Sequence, residues 1–301
     1  MNKFLLFLLL PVFCFAQKNS LKSSLNALTK DKKATVGFSV IGIDFPFEFN
    51  NTHGKEHLPM LSVFKFHIAA AVLNEVDQGK FKLNQKILVK KSDLLENTHS
   101  PIRDDYPNGD VELTLDQIID YTVAKSDNNG CDILLRMLGG TEKVQAFMNS
   151  KGVKDFQIKY NEEWMHKGVE YLYPNYSSTK SMSQLLSDFA KGKMLSKSST
   201  DYLMKIMLGT STGTNKLKEQ LPKGTLIAHK TGSSGSVNNL TIAENDAGII
   251  TLPNGKRYAI TVFVKDSQES WETNCKLISN ASKVVWDYFN QEQKGLFFHL
   301  K

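Results

Sequence analysis

Arginine is nearly absent from this chain. Only Arg103, Arg136 and Arg257 stand among the 37 basic residues of a 301-residue sequence. Recognition of phosphates and base edges leans on arginine forks, and the lysines here are scattered. The formal charge of +6 therefore reads as a solubility feature, not as a nucleic-acid footprint. Cysteine is scarce too. There are three, and no Cys/His spacing resembles a metal site, so neither a metal nor another cofactor is expected. Long apolar runs are missing beyond the N-terminus, which excludes a transmembrane helix in the mature chain. Internal repeats and low-complexity stretches are also missing. What remains is 41% hydrophobic residues and a mean hydropathy of −0.29. That is the composition of a soluble globular protein with a sizeable core, in one large domain or two smaller ones.

The first residues read as a targeting segment. Lys3 gives a positive start, Phe4 to Leu10 an apolar run, and Cys14-Phe15-Ala16 an exit. This fits a secretory signal over 1–16, too short to span a membrane. Cleavage after Ala16 leaves Gln17 first, and the bulky Phe13 argues against a lipoprotein signal ending at Cys14. The mature protein is expected to be exported, periplasmic, without stable membrane association, and monomeric. Two cysteines then remain, Cys131 and Cys275. An exported pair invites a disulfide, yet Cys131 lies in an apolar helical stretch where a buried free thiol fits equally well.

Periodicity sets the layout. Leu21 to Leu28 reads as a helix, Val36 to Val40 as a strand, and Phe45 to Phe49 as its continuation after a turn. A helix that is apolar almost all round follows Ser62 and ends near Gly79; such a helix belongs in a core. Residues 92–110 read as surface loop, with Pro101 and Pro107 as breakers. Thr114 and Gln117 form a capping box. Helical patterns run to Leu138, from Thr141 to near Gly152, around Met182 to Phe189, and over Tyr202 to Met207. Residues 157–177 lack any period, and a loop of that length is usually functional. Thr225 to Ala228 reads as a strand, Asp246 to Leu252 and Tyr258 to Val264 as a hairpin, and Leu277 to Tyr288 as a terminal amphipathic helix. The expected fold is α/β (α+β) with two domains. An antiparallel sheet from both chain ends, 17–58 with 209–301, is flanked by the terminal helices. An all-helical domain, 59–208, sits beside it.

Four polar motifs punctuate this layout. In Ser62-Val63-Phe64-Lys65, a hydroxyl and an amine lie three apart, on one helix face. A serine hydroxyl is a weak nucleophile and needs a neighbouring base; Lys65 fills that role if burial and positive neighbours lower its pKa. Ser126-Asp127-Asn128 lies between two helices. Glu162 lies in the long loop, with His166 four residues on. Lys230-Thr231-Gly232 ends a strand, where a glycine lets a ligand approach the backbone. Each motif alone has a plain alternative: an N-cap, turn residues, a solvated carboxylate, a strand-end lysine. Their order, with export and the helix–sheet layout, makes coincidence a poor explanation.

In these motifs the chain resembles the class A serine β-lactamases, which share S-x-x-K, S-D-N and K-T-G with penicillin-binding proteins. The resemblance covers essentially the whole mature chain. Pro59 to Lys65, Ser126 to Asp132, Asn161 to His166 and Ala228 to Gly232 are similar to the extended-spectrum PER and VEB branch. It implies hydrolysis of penicillins and cephalosporins, including oxyimino-cephalosporins, through a serine acyl-enzyme, and hence antibiotic resistance. It implies Ser62 as nucleophile, Lys65 in its activation, and Ser126 as proton carrier to the leaving nitrogen. Glu162 would hold the hydrolytic water, and Asn128 the substrate's amide side chain. Lys230, Thr231 and Gly232 would meet the substrate carboxylate. The backbone N–H groups of Ser62 and Ser233 would form an oxyanion hole, a feature that carries a large share of catalysis. The acylation base stays open between the lysine and the glutamate acting through water.

Some positions depart from the wider family. His166 and Asp132 stand where most class A enzymes have asparagine, which suggests a reorganised, wider glutamate loop. Many relatives hold the carboxylate with an arginine beside K-T-G. Arg136 and Arg257 are badly placed for that, so Lys216 is the expected substitute. His99 takes a cleft-edge position usually held by an aromatic residue. Two other functions share the three motifs: a penicillin-binding D,D-peptidase, which lacks the deacylating glutamate, and a β-lactam-sensing domain, which needs an anchor and a signalling partner.

Overall fold

The computed structural model describes residues 21–298, with side chains described to residue 290. The targeting segment and the Gln17 start lie outside the described residues. Helix α1 (21–29) precedes strands β1 (Thr35–Gly42), β2 (Glu48–Asn50) and β3 (Leu58–Pro59). A 3-10 turn, Leu61–Phe64, runs into α2 (Lys65–Asp77). Next come β4 (Lys86–Val89), α3 (Pro101–Asp105), β5 (Val111–Thr114), α4 (Leu115–Ala124), α5 (Asn128–Leu138) and α6 (Thr141–Ser150). The long loop carries β6 (Phe156–Gln157), α7 (Glu162–Met165) and β7 (Tyr176–Ser177), followed by α8 (Thr179–Ala190) and α9 (Lys197–Leu208). The chain closes with β8 (Ile227–Ser233), β9 (Ser236–Val237), β10 (Leu240–Thr251), β11 (Arg257–Ser267) and α10 (Trp271–Phe298).

The main sheet runs β2-β1-β11-β10-β8, antiparallel throughout, with β9 also paired to β10. Period-2 alternation gives it two apolar faces. On one, Tyr258, Ile260, Val262 and Val264 of β11 pack with Leu277, Ile278, Ala281 and Val285 of α10 and with Leu21 and Leu25 of α1. On the other, Ala259 and Phe263 of β11 and Ala247 and Ile249 of β10 join the core of the helical layer. Helix α2 is the centre of that core: Phe66, Ile68, Ala69, Ala70, Val72 and Leu73 are fully solvent-excluded. Each large apolar side chain so buried contributes about 1.5–3 kcal/mol, so the turn that carries Ser62 is fixed to a rigid rod.

Several boundaries differ from the sequence reading. The strand expected from Thr225 begins at Ile227 and runs to Ser233, with Lys230-Thr231-Gly232 near its end as read. Strand β10 starts at Leu240, not Asp246, and takes Glu244, Asn245 and Asp246 into the buried sheet. The Phe45 to Phe49 strand is shorter and shifted, to Glu48–Asn50. Pro101 starts α3 instead of breaking structure: it sits in the first turn behind the N-cap Ser100, where its missing N–H costs nothing. The capping box at Thr114 and Gln117 is formed. Cys131 and Cys275 are both buried free thiols, so no disulfide joins them. Among the described residues, no helix is long and apolar enough to cross a membrane.

Candidate active site

Two residues ahead of or within the polar motifs adopt left-handed backbone conformations. Leu61 has φ 48° and Ser126 φ 61°. Side chains other than glycine, asparagine and aspartate rarely rest there, at a cost of about 1–3 kcal/mol, and such strain clusters at functional sites. At Leu61 the kink delivers the next residue, Ser62, to the open end of α2. At Ser126 it turns the chain between α4 and α5. Asp127 then caps α5: its carboxylate accepts from Gly130 N at 2.7 Å, Ile102 N at 2.6 Å and the Ser100 hydroxyl at 2.9 Å. The middle residue of Ser126-Asp127-Asn128 is thus a clamp on the turn, and its two neighbours face the cleft.

Lys65 is the hub. Its side chain is fully buried, and Nζ lies 2.9 Å from Ser62 Oγ, 2.9 Å from the Ser126 carbonyl and 2.9 Å from Glu162 Oε1. Asn128 Oδ1 accepts a short hydrogen bond from the same nitrogen. On the opposite wall, Lys230 donates to Ser126 Oγ at 2.8 Å and to the Thr231 carbonyl at 3.0 Å. Burial, with the charges of Lys65 and Lys216 nearby, holds the Lys230 ammonium well below the usual lysine range. Thr231 Oγ1 and Thr212 Oγ1 are hydrogen-bonded to each other at 2.7 Å.

The two walls meet closely because position 232 is glycine. A Cβ on Gly232 would stand 2.4 Å from the Met60 carbonyl and 3.2 Å from Ser62 N. The small residue thus makes room for the backbone before Ser62, in addition to any ligand. Asn245, opposite Gly232 in the register, donates to the Pro59 and Met60 carbonyls at 2.8 and 3.1 Å. The sheet is therefore bolted to the serine turn.

Glu162 is held by its own scaffold. Asp132 of α5 accepts from Glu162 N at 2.8 Å, Glu163 N at 2.9 Å and Asn161 Nδ2 at 3.1 Å. Asn175, fully buried, accepts from Lys159 N and Tyr160 N at 2.8 and 2.9 Å and donates to Tyr160 O at 2.7 Å. Tyr160, Trp164 and Tyr171 pack ring against ring over the same segment. The loop read as lacking any period is a compact unit closed at both ends. His166 is the C-cap of α7 and is exposed, at the rim rather than among the clustered groups.

Burial pushes the Asp132 carboxyl up to about 6, against the pull of the Glu162 and Glu163 N–H groups and reinforced by the Glu162 charge. Between its ordinary value of 3.8 and that value, the folded protein holds a proton that the unfolded chain has released. Asp132 therefore favours the folded state at low pH and loses this contribution as pH rises through about 6. An Asp132→Asn variant lacks the titration. The stability of the parent relative to this variant is expected to fall by up to about 3 kcal/mol between pH 4 and 7, at 1.36 kcal/mol per unit. Denaturant unfolding of both proteins across that range checks it; a pH-independent difference would refute it.

Lys216 lies beside the K-T-G strand, buried. Its ammonium is buried beneath β8, 2.5 Å from Glu244 Oε1, with Asn245 O at 3.1 Å and Gly232 O at 3.4 Å. Its charge nevertheless stands beside K-T-G, bonded to the Gly232 carbonyl and felt at Lys230. Ser233 lies at the exposed end of β8, with Oγ donating to Glu244 Oε2 at 2.7 Å. His99 bonds the Lys125 carbonyl through Nε2 at 2.9 Å. Its neighbour Thr98 takes a hydrogen bond from Asn128 Nδ2 at 2.6 Å. Thr98, Asn175, Glu244 and Asn245 escaped the sequence reading. Only the last two left a signal there, as polar residues interrupting an otherwise apolar strand.

Chemically, this assembly offers a serine nucleophile touching a buried amine, a second hydroxyl under a depressed lysine, and a carboxylate 2.9 Å from the same amine. It suits acyl transfer to Ser62 followed by hydrolysis.

Residues 20–289 match the β-lactamase enzyme family. The chain is 45% identical over 282 residues to the β-lactamase VEB-1 of Pseudomonas aeruginosa, covering 92% of this chain and 93% of that one. It is 39% identical to the extended-spectrum β-lactamase PER-1 of Pseudomonas aeruginosa, covering 91% and 88%. The crystal structure of a representative class A β-lactamase from Bacteroides cellulosilyticus superposes with a TM-score of 0.86 at 41% identity, covering 91% of this chain and 99% of that one.

Proposed function

The chain belongs to the β-lactamase enzyme family and is a class A hydrolase of β-lactam rings, and from that premise we propose how its residues divide the work. The observation that carries the proposal is the convergence of Ser62, Ser126, Asn128 and Glu162 on the single side-chain nitrogen of Lys65. Ser62 opens the ring, with Lys65 receiving or relaying its proton. Ser126, polarised by Lys230, returns a proton to the leaving nitrogen. The backbone N–H groups of Ser62 and Ser233 take the oxyanion. Glu162 then directs a water at the acyl-enzyme. Asn128 receives the substrate's amide side chain, and Lys230, Thr231 and the bare backbone of Gly232 receive its carboxylate. Lys216 acts from beneath the strand, and His166 shapes the rim of the glutamate loop.

The two domains of this reading are 17–58 with 209–301, and 59–208, with the cleft between them. The mature enzyme is a periplasmic monomer beginning at Gln17, needing no metal, nucleic acid or other cofactor. N-terminal mass analysis of the exported chain checks the start, and a lipid on Cys14 would contradict it. A penicillin-binding peptidase is disfavoured because Glu162 pairs at 2.9 Å with the same lysine that bonds the nucleophile.

With a chromogenic cephalosporin, the purified protein is expected to turn over continuously rather than release one equivalent. The His166 and Asp132 departures predict that cefotaxime and ceftazidime are hydrolysed as well. Hydrolysis confined to penicillins would overturn the assignment of spectrum.

A further inference from the structure

Glu244 is a buried carboxylate with no part in the chemistry described so far. It sits directly opposite Ser233 in the β8–β10 register and is fully buried. Both of its oxygens are engaged: Oε1 by the Lys216 ammonium at 2.5 Å, Oε2 by the Ser233 hydroxyl at 2.7 Å. The Ser233 oxygen has one further partner, the Gly235 N–H at 3.4 Å.

A serine hydroxyl has one proton and two lone pairs. Here the proton points down, to a carboxylate that accepts only. The cleft side of Ser233 is left with a lone pair. A substrate carboxylate is also an acceptor only, so Ser233 Oγ and that carboxylate have nothing to exchange. We propose that Glu244 is a specificity-determining positioning residue: by holding the Ser233 proton under the sheet, it withdraws that hydroxyl from the carboxylate subsite and leaves the anion to Lys230 and Thr231.

The isosteric change Glu244→Gln reverses the polarity. The glutamine carbonyl faces the Lys216 ammonium, and its amide N–H group donates to Ser233 Oγ. The serine proton is then free to turn into the cleft and meet the substrate carboxylate. Hydrogen bonds to charged groups are the stronger class, and this one is present before and during reaction, so it acts mainly on KM.

The inference rests on the hydrolysis proposed above. Its test compares a cephalosporin carrying its ring carboxylate with the methyl ester of the same compound. In Glu244→Gln, preference for the acid over the ester in kcat/KM is expected to rise about tenfold, through KM, with kcat changed far less. Adding Ser233→Ala should remove that gain. Ser233→Ala alone, in the parent, should shift the acid-to-ester preference about tenfold less than it does in the Glu244→Gln background. Equal changes for acid and ester, or matched losses in kcat and KM, would reduce Glu244 to a structural prop and overturn the proposal. Should Glu244→Gln fail to fold, the single Ser233→Ala variant decides: a tenfold loss of acid preference would show that the Ser233 proton already faces the substrate. Absence of turnover on both compounds would defeat the hydrolytic reading itself, a result separate from any shift in preference.

Discussion

Glu162→Ala is expected to stop the reaction half-way. The groups assigned to ring opening remain in this variant: Ser62, with Lys65 at 2.9 Å from its hydroxyl, and Ser126 under Lys230. What disappears is the one carboxylate that, among the described residues, contacts that group, 2.9 Å from Lys65. A positioned general base contributes about 10²–10⁴-fold to a proton-transfer step, and release of the acyl group should slow by that order. Intact-protein mass spectrometry after mixing with a cephalosporin should find an adduct persisting on Ser62, and Ser62→Ala should carry none. Free turnover by Glu162→Ala would place the deacylating base elsewhere. Loss of the adduct as well would assign Glu162 a share in activating Ser62, which the contact through Lys65 permits.

The second large effect concerns stability. Lys216 and Glu244 have side chains 5% and 0% exposed, so neither charge has water to fall back on. Removing one partner of a buried ion pair leaves the other uncompensated, at about 3–5 kcal/mol. Lys216→Met should lower the unfolding free energy by that order. The double variant Lys216→Met, Glu244→Gln should recover most of the loss, because a neutral amide is easier to bury. Equal losses in the single and double variants would mean that the lysine matters for packing alone. A raised KM with stability nearly intact would instead show a charge felt chiefly by the substrate carboxylate.

The contrast shows what was legible in the chain. Ser62 and Lys65 could be read together because helical spacing alone puts positions three apart on one face. The Thr114 cap and the apolar stripe of α2 are equally local. Lys216 and Glu244 meet through a loop that folds beneath an antiparallel pair, and nothing in their spacing announces it. Reading the strand from Asp246 left Glu244 and Asn245 outside the sheet, since polar residues in succession look like a boundary. They are buried because each has a fixed partner: Lys216 and Ser233 for one, the Pro59 and Met60 carbonyls for the other. Asn175 was hidden for the same reason, its backbone partners lying fifteen or so residues upstream. Pro101 misled because the same residue breaks a helix inside and begins one at its first turn.

The sheet order carries a consequence for how the protein is made. Strand β1 pairs with β11, Thr35 opposite Lys265, some 230 residues later in the chain. Strand β8, which bears Lys230, is joined to β1 only through β10 and β11. Non-local pairing of this kind is slow, since the entropy of closing the loop must be met before any contact forms. The sheet therefore has no central strand until nearly the whole polypeptide has left the ribosome. During that interval the chain lacks the wall that completes its cleft and stays open, without a closed β-structure to be dismantled. A polypeptide truncated before β11 is expected to acquire helices without ever gathering the catalytic groups.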